Sequence, residues 1–339
     1  MSTPPGSPRR ATMVSAQSTA NHEVSTSRAR VVCLDSVLID LTLVVDALPK
    51  RGGDSLASRR VLSAGGGFNM MSAACRQGAS ATYVGQLGHG NFAEVARAAL
   101  RSEGIDMALA SRGDIDLGVC VVLVDAAGER TFVTSPGAEL SVSEGELDQV
   151  SVAPGDVVYV SGYTILYPET AQTFVSWLGA LGATTRVVFD PGPRCADIDP
   201  VILSTVLTRS DWLLCNASEA EEMSGERDTA RSAQALREEW GFEAVVVRAG
   251  AQGCVSADAE GLNSAPGFSA RVVDTNGAGD VHNGVVIAET LRGTDWHEAL
   301  LRANAAAATA ISAIGPATCP PREYVDTMLQ SQQRRVTLL

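Results

Sequence analysis

One short segment of this 339-residue chain concentrates the residue types that phosphoryl chemistry uses: Val273-Asp-Thr-Asn-Gly-Ala-Gly-Asp-Val-His-Asn-Gly284, followed at once by an apolar stretch of helical character. Small residues at Gly277, Ala278 and Gly279 let a backbone approach a ligand closely. They also put free N–H groups at a helix N-terminus, where the dipole favours an anion. Asp280 falls in the first turn of that helix, placed to accept a proton from a hydroxyl as it attacks a phosphoryl group. The plainer reading is a tight turn in which Asp280 only caps the helix.

Two further segments carry the same kind of chemistry. Ala64-Gly-Gly-Gly-Phe-Asn69, ahead of an Ala-rich helix, again permits close backbone approach, and the Asn69 amide can both donate to and accept from sugar hydroxyls. Leu214-Cys-Asn-Ala-Ser-Glu219 sets Asn216 and Glu219 at the end of an apolar run, the end of a strand where open α/β sheets bind ligands. Such a pair can orient waters on Mg²⁺, which keeps much of its hydration shell. The plain alternatives are a flexible turn for the first segment and helix capping for the second.

These segments need a frame, and the pattern supplies one. Strand-like runs at Val31–Leu34, Ala81–Gly85, Val157–Val160, Val187–Asp190, Trp212–Cys215 and Ala244–Arg248 alternate with helical stretches. The helices are expected at Phe68–Gln77, Phe92–Ser102, Thr170–Leu181, Ser218–Met223, Ala278–Leu291 and Trp296–Ala313. Alternation of this kind predicts an α/β fold with a mostly parallel sheet covered on both faces. Ser218-x-x-Glu221 reads as a capping box for the fourth helix. An isolated strand at Asp54–Leu62 and a hairpin over Gly118–Thr134, turning at Asp125–Glu129, do not extend such a sheet. They predict a small antiparallel β lid, with segments about 52–64 and 113–135. Residues 1–29, rich in Ser, Thr, Pro and Arg without an apolar core, read as a disordered tail, or as an overlong start ahead of Met13.

Composition removes whole classes of function. A net charge of -13 argues against nucleic acid and anionic membrane surfaces as partners. Lys50 is the single lysine and lies in no glycine-rich phosphate motif, which excludes a P-loop and its GxxxxGK[ST] signature. A nucleotide site here must therefore be positive through backbone amides, metal ions or arginines. The seven cysteines (Cys33, Cys75, Cys120, Cys195, Cys215, Cys254 and Cys319) form no CxxC pair, and several sit in apolar runs. They read as small buried hydrophobes in a reducing cytoplasm. No stretch is long and apolar enough for a transmembrane helix.

The three segments, in this order from about Arg30 to Tyr324, resemble the ribokinase family, also called the phosphofructokinase B family of carbohydrate kinases. The resemblance implies a three-layer αβα sandwich over residues 30–330 with a β lid, ATP and Mg²⁺, frequently a monovalent cation such as K⁺, and a homodimer formed through the lid. It implies Asp280 as catalytic base and Gly277, Ala278 and Gly279 as anion hole. Asp40, Gly66 and Asn69 would bind the sugar, and Asn216 and Glu219 would serve Mg²⁺ and phosphate. Arg248-Ala-Gly-Ala-Gln-Gly253 matches the nucleotide segment, with Arg248, Gly250 and Gly253 as contacts, and Asn304 would line the adenine pocket. Asp274, Asn276, Ala310, Ala313 and Gly315 match positions that hold the monovalent cation.

The departures from the family pattern are informative. Arg248 replaces a threonine or lysine, so it either supplies phosphate-binding charge or forms a surface salt bridge. His282 replaces a phenylalanine and reads as packing or a substrate contact. Tyr163 stands where ribokinase has a glutamate, which counts against ribose, and Cys319 stands where the cation loop often ends in serine. Asp190-Pro-Gly-Pro-Arg194 resembles a sugar-kinase segment in which Arg194 reaches a phosphate or acidic sugar, or pairs with a carboxylate. Phe68, Phe132, Tyr163 and Tyr167 either stack on a base or pack. The expected reaction is transfer of the ATP γ-phosphoryl group to a primary hydroxyl of a small sugar. A nucleoside acceptor is the alternative, and a non-catalytic sugar sensor a more distant one.

Overall fold

Side chains along a strand point alternately to opposite faces, and in this chain both faces are apolar. In β1 (Arg30–Cys33), Val31 and Cys33 enter one core cluster while Val32 enters the other. The computed structural model describes residues 29–337, with side chains described as far as Ser331. The tail expected over residues 1–29 therefore lies, Ala29 apart, outside the described residues.

The remaining strands are β2 (Val37–Val45), β3 (Ala57–Gly66), β4 (Ser80–Tyr83), β5 (Asp106–Met107), β6 (Val119–Val124), β7 (Arg130–Ser135), β8 (Val157–Ser161) and β9 (Arg186–Asp190). Then follow β10 (Trp212–Asn216), β11 (Ala244–Arg248), β12 (Cys254–Asp258) and β13 (Gly261–Ala265). The helices are α1 (Gly67–Arg76), α2 (Asn91–Ser102), α3 (Glu144–Leu147), α4 (Gly162–Leu166), α5 (Pro168–Ala180) and α6 (Pro200–Arg209). After them come α7 (Ala217–Ser224), α8 (Thr229–Trp240), α9 (Ala278–Leu291), α10 (Trp296–Ala310) and α11 (Arg322–Thr337).

A nine-stranded sheet runs in the order β13-β12-β11-β10-β9-β8-β1-β4-β5. It is parallel from β5 to β11, and the last two strands turn antiparallel at one edge. One face buries Val31, Tyr159, Leu214 and Val246 under α1, α9 and α10; the other buries Val32, Val160, Leu213 and Val245 under α5, α6 and α8. The fold is thus a three-layer αβα sandwich, as the alternation of elements predicts. A second sheet of four strands, in the order β3-β2-β6-β7, stands apart from the first.

Several boundaries differ from those read in the sequence. The strand expected at 54–62 runs Ala57–Gly66, straight through the glycine-rich segment. Its antiparallel partner β2 pairs Asp40 with Ser63 and runs parallel to β6, where Asp40 meets Cys120. Strand β2, whose apolar run is interrupted by Asp40 and Thr42, was not foreseen. Helix α10 ends at Ala310 rather than Ala313. The capping box at α7 belongs to Asn216 and Glu219, not to Ser218 and Glu221.

Helices α1 and α9 cross on one face of the sheet, and the crossing is set by Gly284. A Cβ at that position would strike the Met70 carbonyl and come within 2.8 Å of the Ala73 side chain. Overpacking a buried contact typically costs about 1–3 kcal/mol. Gly284→Val is therefore expected to lower stability by about 2 kcal/mol, read from the urea midpoint, and to lower turnover by spreading the two helices that carry Asn69 and Asp280. An unchanged midpoint would show that the helices have room to separate.

Candidate active site

The N-terminus of α9 is built around a glycine that no other residue can replace. Gly277 caps the helix at φ 73, the left-handed region that side chains disfavour, and a Cβ there would collide with the Pro316 carbonyl. Asp280 follows in the first turn. Its Oδ2 accepts a hydrogen bond of 3.0 Å from Asn69 Nδ2, across 211 residues of sequence. The two signature segments are thereby brought into direct contact. Asn69 is buried, and its Oδ1 has no partner, which leaves an acceptor for a hydroxyl. Burial raises the Asp280 pKa to about 6, the Asn69 hydrogen bond pulls it down, Asp190 pushes it up and the Arg248 charge lowers it.

Arg248, at the end of β11, is enclosed rather than on the surface. Its side chain is 13% exposed, with one nitrogen 3.5 Å from Asp190 Oδ2 and 3.7 Å from Glu219 Oε2. It also donates to Asn283 Oδ1, and the guanidinium passes so close to Gly279 that a Cβ there would lie 3.4 Å away. The surface salt bridge considered from sequence is thus replaced by a buried cation beside the expected anion hole. Asn283, fully buried on α9, completes this cluster: its Nδ2 donates to Asp190 Oδ2 at 2.5 Å. Neither Asn283 nor Asp190 was singled out from sequence. Asp190 drew notice only as the start of the segment leading to Arg194, which is exposed and paired with Asp197 at 2.9 Å.

Asn216 and Glu219 close the capping box of α7: Glu219 N donates to Asn216 Oδ1 at 3.0 Å, and Asn216 N donates to Glu219 Oε2 at 2.8 Å. Capping and a role toward Mg²⁺ are not exclusive here. Glu219 is buried, and burial together with Asp190 raises its pKa. Arg248 and backbone N–H groups already hold oxygens of Asp190 and Glu219, so the pair fits Mg²⁺ only as an ion that keeps its bound waters between itself and the carboxylates.

On the other side of Asp280 the chain gathers further acid. Asp40 on β2 is buried and has its pKa raised to about 7 by burial and by the Asp280 charge. Room for it comes from Gly65, where a Cβ would fall within 2.7 Å of the Asp40 carboxyl carbon. Gly66 is the N-cap of α1. Asp35, which sequence reasoning passed over, sits at the mouth of β1. It is buried, accepts from Ser161 Oγ at 2.5 Å, and is raised to about 7 by burial, with the Ser161 bond opposing and Asp280 and Asp190 adding. A single acid after an apolar strand carries no motif, so spacing alone had nothing to signal it. Tyr163, on the short helix α4, is 43% exposed, and burial and Asp35 raise its pKa. Phe68 packs in the core and Phe132 is exposed on β7, so only the second keeps a free ring face.

Gly250 opens a short turn after β11, and Gly253 packs against the segment after β13. Asn304 on α10 donates through Nδ2 to the Ala265 and Pro266 carbonyls, both at 3.1 Å. It fixes the wall of that pocket rather than offering a free amide. His282 is buried between these parts, with no hydrogen-bond partner at either ring nitrogen. Asn304 approaches the ring but is held by the two carbonyls. Burial and then the Arg248 charge lower the His282 pKa to about 3, so the ring is neutral.

The five residues expected to hold a monovalent cation converge, but the oxygens of Asp274, Ala310 and Gly315 are already engaged. Asp274 Oδ1 accepts from Asn276 N at 2.9 Å and from the Arg130 guanidinium, and Oδ2 accepts from Gly315 N at 3.0 Å. The Ala310 carbonyl accepts from Thr318 Oγ1 at 3.0 Å and from Ala313 N at 3.1 Å. The Gly315 carbonyl accepts from the same hydroxyl at 3.2 Å. Ala313 itself is exposed. Cys319, noted for replacing a serine, turns into the core toward Gln77, and the hydroxyl of the loop comes from Thr318 one residue earlier. This donor set does not fit a monovalent ion, because a guanidinium already stands on its only carboxylate.

Comparison with known proteins adds to this geometry. The profile described as pfkB family carbohydrate kinase matches residues 28–323. An uncharacterized sugar kinase, YegV, of Escherichia coli is 33% identical over 304 residues, covering 88% of this chain and 93% of that protein. An ATP-dependent ribose-1-phosphate kinase of Halopiger xanaduensis is 29% identical, covering 89% and 99%. Among solved structures, ribokinase from Giardia lamblia superposes with a TM-score of 0.77 over 90% of this chain and 99% of that chain, at 24% identity, a likeness of fold.

The raised acids carry a stability signature. Asp35 and Asp40 titrate at about 7 and Asp280 at about 6 in the folded protein, against about 4 in an unfolded chain. Between those values the folded state binds more protons, so stability falls as pH rises. The ligand-free protein is expected to melt lower at pH 8 than at pH 5.5. Asp40→Asn should recover on the order of 2 kcal/mol at pH 8 and almost nothing at pH 4. Parallel pH profiles for variant and wild type in thermal melts would contradict this.

Proposed function

The chain belongs to the pfkB family of carbohydrate kinases, phosphotransferases with an alcohol acceptor, and on that premise we propose that it transfers the γ-phosphoryl group of ATP to a primary hydroxyl of a small sugar. The observation that carries the reading is the Asn69–Asp280 hydrogen bond, beside a buried arginine that lies against Gly279. One end of that arrangement can take a proton and the other can take negative charge. Asp280 removes the proton of the attacking hydroxyl, and Asn69 holds that hydroxyl through its free Oδ1. The N–H groups of Gly277, Ala278 and Gly279, with Arg248, stabilise charge on the phosphoryl oxygens. Glu219 and Asp190 are the residues that would hold Mg²⁺ arriving with ATP, and the ion would supply positive charge at the phosphates.

The acceptor side favours a neutral polyol. Asp35, Asp40 and Asp280 lie there, and Arg194 is exposed and engaged by Asp197. A sugar acid or phosphate would meet repulsion. Of the aromatic residues that could stack on a nucleoside base, Phe68 is in the core, while Phe132 and Tyr163 are exposed. Segments 52–64 and 113–135 act as a lid that excludes water from the transfer. Exposed Phe132 and Val133 on β7 suit pairing of two lids in a homodimer. Among the described residues no helix is long and apolar enough to cross a membrane, and the free thiols suit a reducing cytoplasm.

A coupled ADP-release screen of pentoses, hexoses, sugar acids and nucleosides tests the reading. Neutral sugars are expected to give the highest kcat/KM. Asp280→Asn should lower kcat by about 10³-fold, within the usual range for a lost general base. In the wild type kcat/KM should fall about tenfold per pH unit below the Asp280 pKa of about 6, as the base takes up its proton. Wild-type turnover by Asp280→Asn would sink the mechanism, and activity confined to nucleosides would sink the choice of acceptor.

A further inference from the structure

Arg130 begins β7 in the second sheet, yet its side chain leaves that sheet for the loop ahead of α9. One guanidinium nitrogen pairs with Asp274 Oδ1, and another donates to Thr275 Oγ1 at 3.1 Å. The pair is largely shielded: the side chains are 20% and 15% exposed. Asp274 in turn ties Asn276 N and Gly315 N, and the loop it braces ends at the Gly277 cap. A strand of the second sheet thus reaches the loop that leads into the expected anion hole through one ion pair.

We infer that Arg130 is the built-in cation of this loop, standing where a monovalent metal ion would otherwise neutralise Asp274, so that the protein works without K⁺ or any similar ion. The carboxylate has one charge to satisfy, and the guanidinium satisfies it with a planar fork that cannot lose its proton. With the guanidinium in place the carbonyls of Ala310 and Gly315 accept from the Thr318 hydroxyl, and an ion could take them up only once that charge is gone. A metal ion diffuses in and out, whereas this cation is fixed to the second sheet. Arg130 is a positioning residue: it acts through Asp274 on the loop and touches no reacting atom. The inference rests on reading residues 277–280 as the phosphoryl-transfer loop.

The test uses the full chain in K⁺ and in tetramethylammonium at equal ionic strength, with Arg130→Gln and Arg130→Lys beside the wild type. Two readouts are taken: sugar-dependent ADP release, and the melting temperature of the ligand-free protein, which needs no turnover. The wild type is expected to give the same rate and the same melting temperature in both salts. Arg130→Gln leaves Asp274 without its counter-charge. It should lose about tenfold in kcat in tetramethylammonium, as a loosened loop misplaces its donors, and regain most of it in K⁺. Its melting temperature should rise in K⁺ by about 3 °C, as expected when an ion binds only the folded state. Arg130→Lys, which keeps the charge, should stay indifferent to K⁺. A wild type activated or stabilised by K⁺ overturns the inference. So does a glutamine variant that matches the wild type in tetramethylammonium, or a lysine variant as K⁺-dependent as the glutamine one. If no sugar is turned over, the family-based reading of the acceptor fails while the melting comparison still decides the cation.

Discussion

The close crossing of α1 over α9 is the constraint on which the site depends. Gly284 leaves no side chain between the helices, so Asn69 on one meets Asp280 on the other at 3.0 Å. Each helix also closes the apolar face of the large sheet, through Met70, Met71 and Ala74 on one and Val281, Val285 and Ile287 on the other. Burying that surface is the main favourable term in folding. The proposed catalytic contact is therefore set by core packing, and loops only refine it.

Charge is the counterpart of that packing. Asp35, Asp40, Asp190, Glu219 and Asp280 all approach one end of the sheet, and Arg248 is the cation enclosed among them. Burial, and after it the gathering of like charges, disfavours ionisation, which is why Asp280 titrates at about 6 and Asp35 and Asp40 at about 7. A base of that strength is well matched to work near neutrality. In the proposed reaction a dication and the hydroxyls of a sugar would supply the compensation that the ligand-free protein lacks.

The large-scale order was legible in the sequence because it rests on short-range patterns. Strand β11 and helix α9 keep the bounds that their apolar runs suggest, and the glycine-rich turns fall where close approach is needed. What the sequence hid depends on contacts between distant residues. Asn283 looks like one more residue in a helix, and only the fold puts it between Arg248 and Asp190. Asp35 carries no motif. Asn216 and Glu219 were visible, but their reciprocal cap shows only when α7 is seen to start one residue after Asn216. Asp274 read as an ion ligand because nothing nearby in sequence reveals an arginine arriving from β7, 144 residues earlier.

The distance along the chain between Asn69 and Asp280 also bears on how the protein is made. Synthesis proceeds from the N-terminus at roughly 5–20 residues per second, so the 211 residues separating the pair take on the order of 10–40 s to appear. During that interval α1 has emerged with Met70, Met71 and Ala74, but the helix that covers them is still unmade. Until nearly the whole polypeptide exists, a nascent chain holds the Asn69 half of the pair without the Asp280 half. Unfinished chains thus lack the proposed base, and the apolar face of α1 stays uncovered until α9 closes over it.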